Sequence, residues 1–400
     1  MTAKVDYLDG LRGVAAGVVV VTHFFQIFFP SVFEGNQQIS HYAFERFASQ
    51  TPINLLFNGN FSVCLFFVLS GYVLSHRFFQ TKENEIVYSS ALRRYLRLAI
   101  PAFCSVVIAY IAMRVGFGYY DNIRNVTMSS MPDPFEASPR FGTMLTETWF
   151  HTFFTYGMQY NPVLWTMTYE LLGSFLIFAF ILLVGRYRMR FPLYALFIWW
   201  FLDSYYLGFM LGVLLSDLKN SEGINRLSFL QRPWVTTILM LFGFYFGSFP
   251  YVDPAGTIYS ALVWKMDGFS FFVFYHVLGA FLIIAALLTN HTLQNTFGSK
   301  WIAYLGKISF SLYLVHFTVI CTLSSYLFDQ WKNFIPYGMN VVVSFAVTLP
   351  VILGLSHLFY KYVDAKTLQL LSAGSRQLFE WVRKQKKGGA TRSKSNGISG

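Results

Sequence analysis

Eight separate runs of 16 to 23 largely apolar residues recur along this chain, at 11–29, 61–79, 96–115, 163–184, 234–249, 269–289, 308–328 and 338–360. A hydrocarbon core of about 30 Å takes about 20 helical residues to cross, so the runs read as transmembrane helices. Apolar residues make up 55% of the sequence and charged ones only 12%, about half of the roughly 25% usual in soluble domains. A water-soluble enzyme is excluded.

A ninth stretch, 191–216, decides the number of crossings. Lys and Arg collect in cytoplasmic loops, and Arg77, Lys82, Arg93, Arg94 and Arg97 put the second connection inside, as Arg186, Arg188 and Arg190 do the fourth. If 191–216 crosses twice, then Lys219, Arg226 and Arg232, Lys300 and Lys307, and the basic tail all fall inside as well. Twenty-six residues shared by two crossings give about 20 Å each. The expectation is therefore an all-α polytopic membrane protein, a bundle of about ten transmembrane helices of which the two within 191–216 are short. Both termini are expected in the cytoplasm, and the membrane is that of the endoplasmic reticulum or the cell surface. Asp203, near the turn of the short pair, is expected to face a polar interior.

Residues 1–366 read as the membrane domain and 367–400 as a basic, largely disordered cytoplasmic tail. The tail explains most of the charge. Residues 376–400 hold seven basic side chains against one acidic, leaving +5 of the total +11 for the rest of the chain. Membrane lipids are the expected partner of this charge, and nucleic acid is not. Cys64, Cys104 and Cys321 lie in apolar stretches without Cys or His at ligand spacing, so no disulfide framework and no metal site is expected. No cleavage pattern follows the first apolar run, which is expected to stay attached as an anchor. The segment 116–161 faces outside; within it, 141–156 reads as an apolar helix lying on or dipping into the outer face, and Asn125-Val-Thr127 is a glycosylation sequon.

Ionisable groups at membrane depth are costly and need a protein-facing reason. Arg12 and His23 are eleven residues apart, three turns of helix, so they share one face about 16 Å apart in height. Gly13 and Gly17 offer a neighbouring helix a close approach. Thr166, Glu170 and Ser174, four apart, form one polar stripe below Trp165. Ser309, Tyr313 and His316 share another face, and His276 adds a third buried imidazole, best read as structural. Arg93, Arg94 and Arg97 occupy one side of a helix start, suited either to a polyanion such as a pyrophosphate or to anchoring the span at the membrane surface.

Together these motifs resemble the acyltransferase family 3 integral membrane proteins. Asp9-Gly-Leu-Arg12-Gly followed by His23 resembles the family's opening signature, and Phe66-Phe-Val-Leu-Ser70-Gly71-Tyr its second-span block. Arg93-Arg-Tyr-Leu-Arg97 with Pro101, Trp165-Thr-Met-Thr-Tyr-Glu170 and Ile308-Ser-Phe-Ser-Leu-Tyr-Leu-Val-His316 are similar to its later blocks. The resemblance covers residues 5 to 362, with no appended esterase domain. It implies a ten-helix enzyme moving an acyl group, usually acetyl, from acyl-CoA to a hydroxyl or amine of a small metabolite, lipid or glycan. It also implies that His23 is the essential histidine, that Arg12 is its first-span companion, and that Arg94 and Arg97 meet the CoA phosphates.

On this reading His23 is the general base toward the acceptor hydroxyl, or carries the acyl group itself. Glu170 would orient it, while Arg12 shares a chamber with it. Arg93, Arg94 and Arg97 hold the donor, and His316, Tyr313, Trp165, Ser70 and Asp203 line the substrate pocket. The rival reading is a proton-coupled permease using the buried His, Glu and Arg as a relay. The lack of internal repeats argues against it.

Overall fold

The computed structural model describes residues 6–136, 138–220 and 227–395, and among these there is helix but no strand. Arg226 lies outside the described residues. Ten helices form the bundle: α1 (Asp6–Phe28), α2 (Gly59–Thr81), α3 (Asn84–Arg114), α4 (Trp165–Val184), α5 (Arg190–Trp200), α6 (Tyr206–Asn220), α7 (Pro233–Gly247), α8 (Phe271–Thr289), α9 (Lys300–Val319) and α10 (Tyr337–Phe359). Seven helical stretches among the described residues are long and apolar enough to cross a membrane, and Pro233–Gly247 is a shorter apolar helix. The protein is an all-helical polytopic membrane protein.

Residues 191–216 do form two short helices. The 11 residues of α5 and the 15 of α6 reach about 16 and 22 Å, against the roughly 30 Å of a full crossing. Packing compensates for the missing length. A Cβ on Gly71 of α2 would lie 2.2 Å from the Phe209 carbonyl oxygen, and one on Gly212 of α6 would lie 2.1 Å from that of Val68. No larger residue fits this crossing. The buried Arg190 donates from Nε to Asp217 at 2.6 Å and closes the pair of short helices on itself. Asp203 sits in the turn between them and is exposed, which corrects its placement in a polar interior: the hairpin's internal charge is Asp217.

Helices α1 and α9 also meet through glycine, at positions the sequence reading had only partly assigned. A Cβ on Gly13 would lie 2.5 Å from the Gly306 amide nitrogen, one on Gly306 would lie 2.1 Å from the Asp9 carbonyl oxygen, and one on Gly10 would lie 1.9 Å from the carbonyl oxygen of Phe297, the last residue of the short helix His291–Phe297 that precedes α9, whereas nothing lies within 4 Å at Gly17. Gly10 and Gly13, rather than Gly13 and Gly17, let the helices touch. This contact fixes the register of Arg12 and His23 against α9.

Residues 141–154 are helical, in three joined pieces: Phe141–Thr146, Glu147–His151 and Thr152–Phe154. They run down the flank of α3. Phe141 packs on Tyr110, Trp149 on Phe103, and Phe153 on Tyr95, and the Tyr95 hydroxyl donates to the Trp149 carbonyl at 2.6 Å. Fifteen helical residues separate Tyr110 from Tyr95, so the segment descends about 22 Å into the bundle. Helix α4 therefore starts well inside. The Thr152 carbonyl accepts from Thr168 Oγ1 at 2.9 Å, and the Val163 carbonyl from the Tyr313 hydroxyl at 2.6 Å.

After α10 the chain passes through one π-helical turn, Tyr360–Asp364, into α11 (Ala365–Ser395). The sequence reading gave a disordered tail from 367; the structure is helical through Ser395. The start of α11 lies against α3, where Arg93 Nη1 donates to Ser372 Oγ at 3.2 Å.

Candidate active site

A cavity of about 480 Å³ opens at the end of the bundle that carries the arginines. Its wall includes Arg12 from α1, Ser70 from α2, Arg94 and Arg97 from α3, Thr166 and Glu170 from α4, Lys307, Ser309 and Tyr313 from α9, and Asp364, Leu368 and Gln369 from the C-terminal segment. Its size is within the roughly 300–1,000 Å³ of ligand pockets.

Three guanidiniums face this space, each with a carboxylate partner. Arg12 Nη1 is 3.3 Å from Asp9 Oδ1, one helical turn away. Arg94 is ion-paired with Glu170 through Nη2, and its Nε donates to Ser174 Oγ at 2.7 Å. Ser70 donates to both Glu170 oxygens, at 2.9 and 3.1 Å. Arg97 is ion-paired with Asp364 and lies over the Phe310 ring. Pro101, inside α3, has no amide hydrogen to offer the Arg97 carbonyl four residues before it. Lys307 stands exposed at the rim with no ion pair among the described residues.

The polar stripe of α4 holds in the structure: Thr166 and Glu170 reach the cavity and Ser174 fastens Arg94. The arginine trio does not. Arg94 and Arg97 line the cavity, but Arg93 turns away, donating to the Ser89 carbonyl at 2.9 Å and to Ser372. Arg93 belongs to the packing of α11 on α3. Trp165 is also off the wall, packed against Tyr169 and Tyr205. Sequence reasoning missed Lys307, which it counted only as a loop charge. It also missed Asp364 and Gln369, whose approach depends on how the chain turns after α10.

His23 and His316 are outside the lining. Arg12 and His23 do share a face of α1, but Ala16 and Val19, on that face between them, are fully buried. The shared chamber expected for the two side chains is thus filled at this level by helix packing. Tyr313 marks the boundary. Its hydroxyl is held by Val163 and, at 2.8 Å, by Thr166, and its ring centroid is 6.0 Å from that of His316.

Beyond Tyr313 the two imidazoles meet. His316 Nε2 is 3.0 Å from His23 Nδ1; His316 Nδ1 is 2.9 Å from the Leu312 carbonyl oxygen, and His23 Nδ1 is 3.0 Å from that of Val19. Glu170 is no partner of His23, which corrects the orienting role expected of it. The cause is depth. Because α4 starts at the level of Tyr313, Glu170, five residues further on, lies about 7 Å nearer the arginine end, at the level of Arg12 and Arg94. His276 is elsewhere and knits the loop after α7 to the start of α2, with Nε2 2.9 Å from the Phe249 carbonyl oxygen and Nδ1 2.7 Å from Asn60 Nδ2.

Among the described residues no three His, Cys, Asp or Glu side chains come together as a metal site.

Residues 5–357 match the family described as an acyltransferase domain. The chain is 24% identical to "O-acetyltransferase PaAT-1" of Phomopsis amygdali, over 92% of this chain and 84% of that protein. It is 22% identical to "Acyltransferase R4" of a Phoma species, over 78% and 80%, and 22% identical to "Acyltransferase clz18" of Cochliobolus lunatus, over 90% and 93%. No solved structure matches.

Proposed function

The chain belongs to this acyltransferase family, and we propose that it transfers an acyl group, acetyl in the first instance, from acyl-CoA to a hydroxyl of a small metabolite, lipid or glycan. The observation that carries the proposal is the cavity at the arginine end, where Arg12, Arg94 and Arg97 converge beside Lys307. Guanidiniums bind phosphates through short, charge-assisted and often bidentate hydrogen bonds. A cytosolic donor would enter with its phosphates at this rim and its thioester arm pointing up the cavity. The name O-acetyltransferase carried by the Phomopsis relative favours acetyl and an oxygen acceptor.

His23 serves as the base in this proposal. The acceptor oxygen attacks the thioester carbonyl carbon as His23 Nε2 takes its proton, and the carbon–sulfur bond breaks. The proton then passes to the departing thiolate, so nothing is oxidised or reduced. General base catalysis by a well-placed imidazole contributes about 10²- to 10⁴-fold. The acyl end must pass Tyr313 to reach His23, so loading the donor displaces that ring.

Purified protein in detergent, incubated with labelled acetyl-CoA and a mixture of candidate hydroxyl acceptors, should release CoA and label an acceptor. His23→Ala should abolish both while expressing and inserting like the parent. Full turnover by His23→Ala would remove the histidine from the mechanism. The absence of any acetyl-CoA turnover by the parent would overturn the donor assignment.

A further inference from the structure

We propose that His316 is a positioning residue that fixes the tautomer and orientation of His23; this rests on the reading of His23 as the base. Carbonyl oxygens only accept hydrogen bonds, so the 2.9 Å contact to Leu312 puts a hydrogen on His316 Nδ1. In a neutral ring the other nitrogen, Nε2, then carries a lone pair. That lone pair faces His23 Nδ1 at 3.0 Å, and the Val19 carbonyl faces the same nitrogen at 3.0 Å. Two acceptors converge on His23 Nδ1, which must therefore be the donor. The proton sits on Nδ1 and the basic lone pair is left on Nε2.

The rest of the environment locks this order in place. His316 is fully buried, and the rings of Phe317 and His23 meet in a T-shaped contact with their centroids 5.2 Å apart. Among the described residues no carboxylate contacts the pair, since Glu170 is held by Arg94 and Ser70. The role that a carboxylate fills in a Ser-His-Asp triad falls here to a neutral imidazole together with a backbone carbonyl. When His23 Nε2 takes the acceptor's proton, the Nδ1 hydrogen stays where it is and its bonds to His316 and Val19 become charge-assisted.

Two substitutions separate this role from simple packing. His316→Gln can place an amide oxygen near the position of Nε2, whereas His316→Asn reaches only the position of Nδ1 and leaves His23 without its imidazole acceptor. With acetyl-CoA and a fixed acceptor, His316→Asn should lower kcat on the order of a hundredfold at unchanged donor KM. His316→Gln should restore most of the loss. Equal losses in the Asn and Gln variants, or a loss expressed as donor KM, would overturn the proposal, as would parental kcat in His316→Asn. Yield and monodispersity in detergent check folding; if His316→Asn does not fold, the Gln variant and a His316→Ala variant assayed with and without added imidazole give the same comparison. An active His23→Ala would instead remove the reading on which the proposal rests.

Discussion

Arg97 of α3 is ion-paired with Asp364, a residue 267 positions further along the chain, and this pair joins the wall of the cavity to the segment that narrows its mouth. Asp364 is almost fully buried, while the Arg97 side chain retains 27% exposure, so the guanidinium has a second side free to meet an incoming anion. On the proposed function, a donor phosphate and the Asp364 carboxylate would compete for one cation.

The two partners should therefore respond with opposite signs. Arg97→Ala should raise the donor KM, whereas Asp364→Asn should lower it, by roughly threefold for a pair whose cation is still partly in solvent. Steady-state kinetics over acetyl-CoA concentration provide the check. Elevated donor KM in both variants would mean that the ion pair only holds the mouth in shape.

Arg93 differs from its neighbours in what it touches, and the kinetics should reflect this. Arg93→Ala should leave donor KM within about twofold of the parent, because its guanidinium is engaged by Ser89 and Ser372 and does not reach the cavity. The same assay should separate it from Arg94→Ala and Arg97→Ala. A donor effect in Arg93→Ala equal to that in Arg94→Ala would return the three arginines to a single phosphate cluster.

The pair formed by Arg94 and Glu170 is nearly buried, with side chains 15% and 13% exposed. Removing one partner strands the other, at a cost of about 3–5 kcal/mol. Arg94→Met and Glu170→Met should each lower the thermal midpoint in detergent, and the double variant should recover much of the loss. It should remain inactive, because the recovered packing has no cation for the donor. Activity in the double variant would show that the pair serves only to hold α3 against α4.

Tyr313 bounds the cavity on the side of the imidazoles. Tyr313→Ala should enlarge the space there and raise the rate with butyryl-CoA relative to acetyl-CoA, measured as a ratio of kcat/KM values. An unchanged ratio would mean that the acyl chain does not reach this wall.

Asn125 lies exposed on a helix, Tyr120–Thr127, at the end of the bundle away from the arginines, while the sequon's Thr127 is buried. Expressed in a eukaryotic host, the protein should lose mass on treatment with a peptide N-glycosidase, and Asn125→Gln should abolish the shift. No shift in the parent would leave the outside assignment of this segment without support.

Much of the site could be read from side-chain spacing within single helices. Arg12 with His23, Thr166 with Glu170 and Ser174, and Ser309 with Tyr313 and His316 each share a face, because 3.6 residues per turn fixes that much without a structure. Relative depth between helices was another matter. Treating Trp165 as the outer end of a full crossing set Glu170 near His23, but residues 141–154 enter first, and α4 begins partway down. Nor could spacing say which arginine of a close trio turns away, since Arg93 is claimed by Ser372 on a helix that composition had marked as disordered. The short pair α5 and α6 was legible because a charge rule and a length limit together admit only that solution.

The descending segment adds a second piece of chain beside α3 before α4 makes its own crossing. The limb from 141 to 154 enters from the face opposite the arginines and reaches down to Tyr95, and a short return leads from it to the start of α4. Insertions or deletions ahead of residue 141 should leave Glu170 at the level of Arg94. A lineage can thus remodel the far face while the arginine end of the bundle keeps its register.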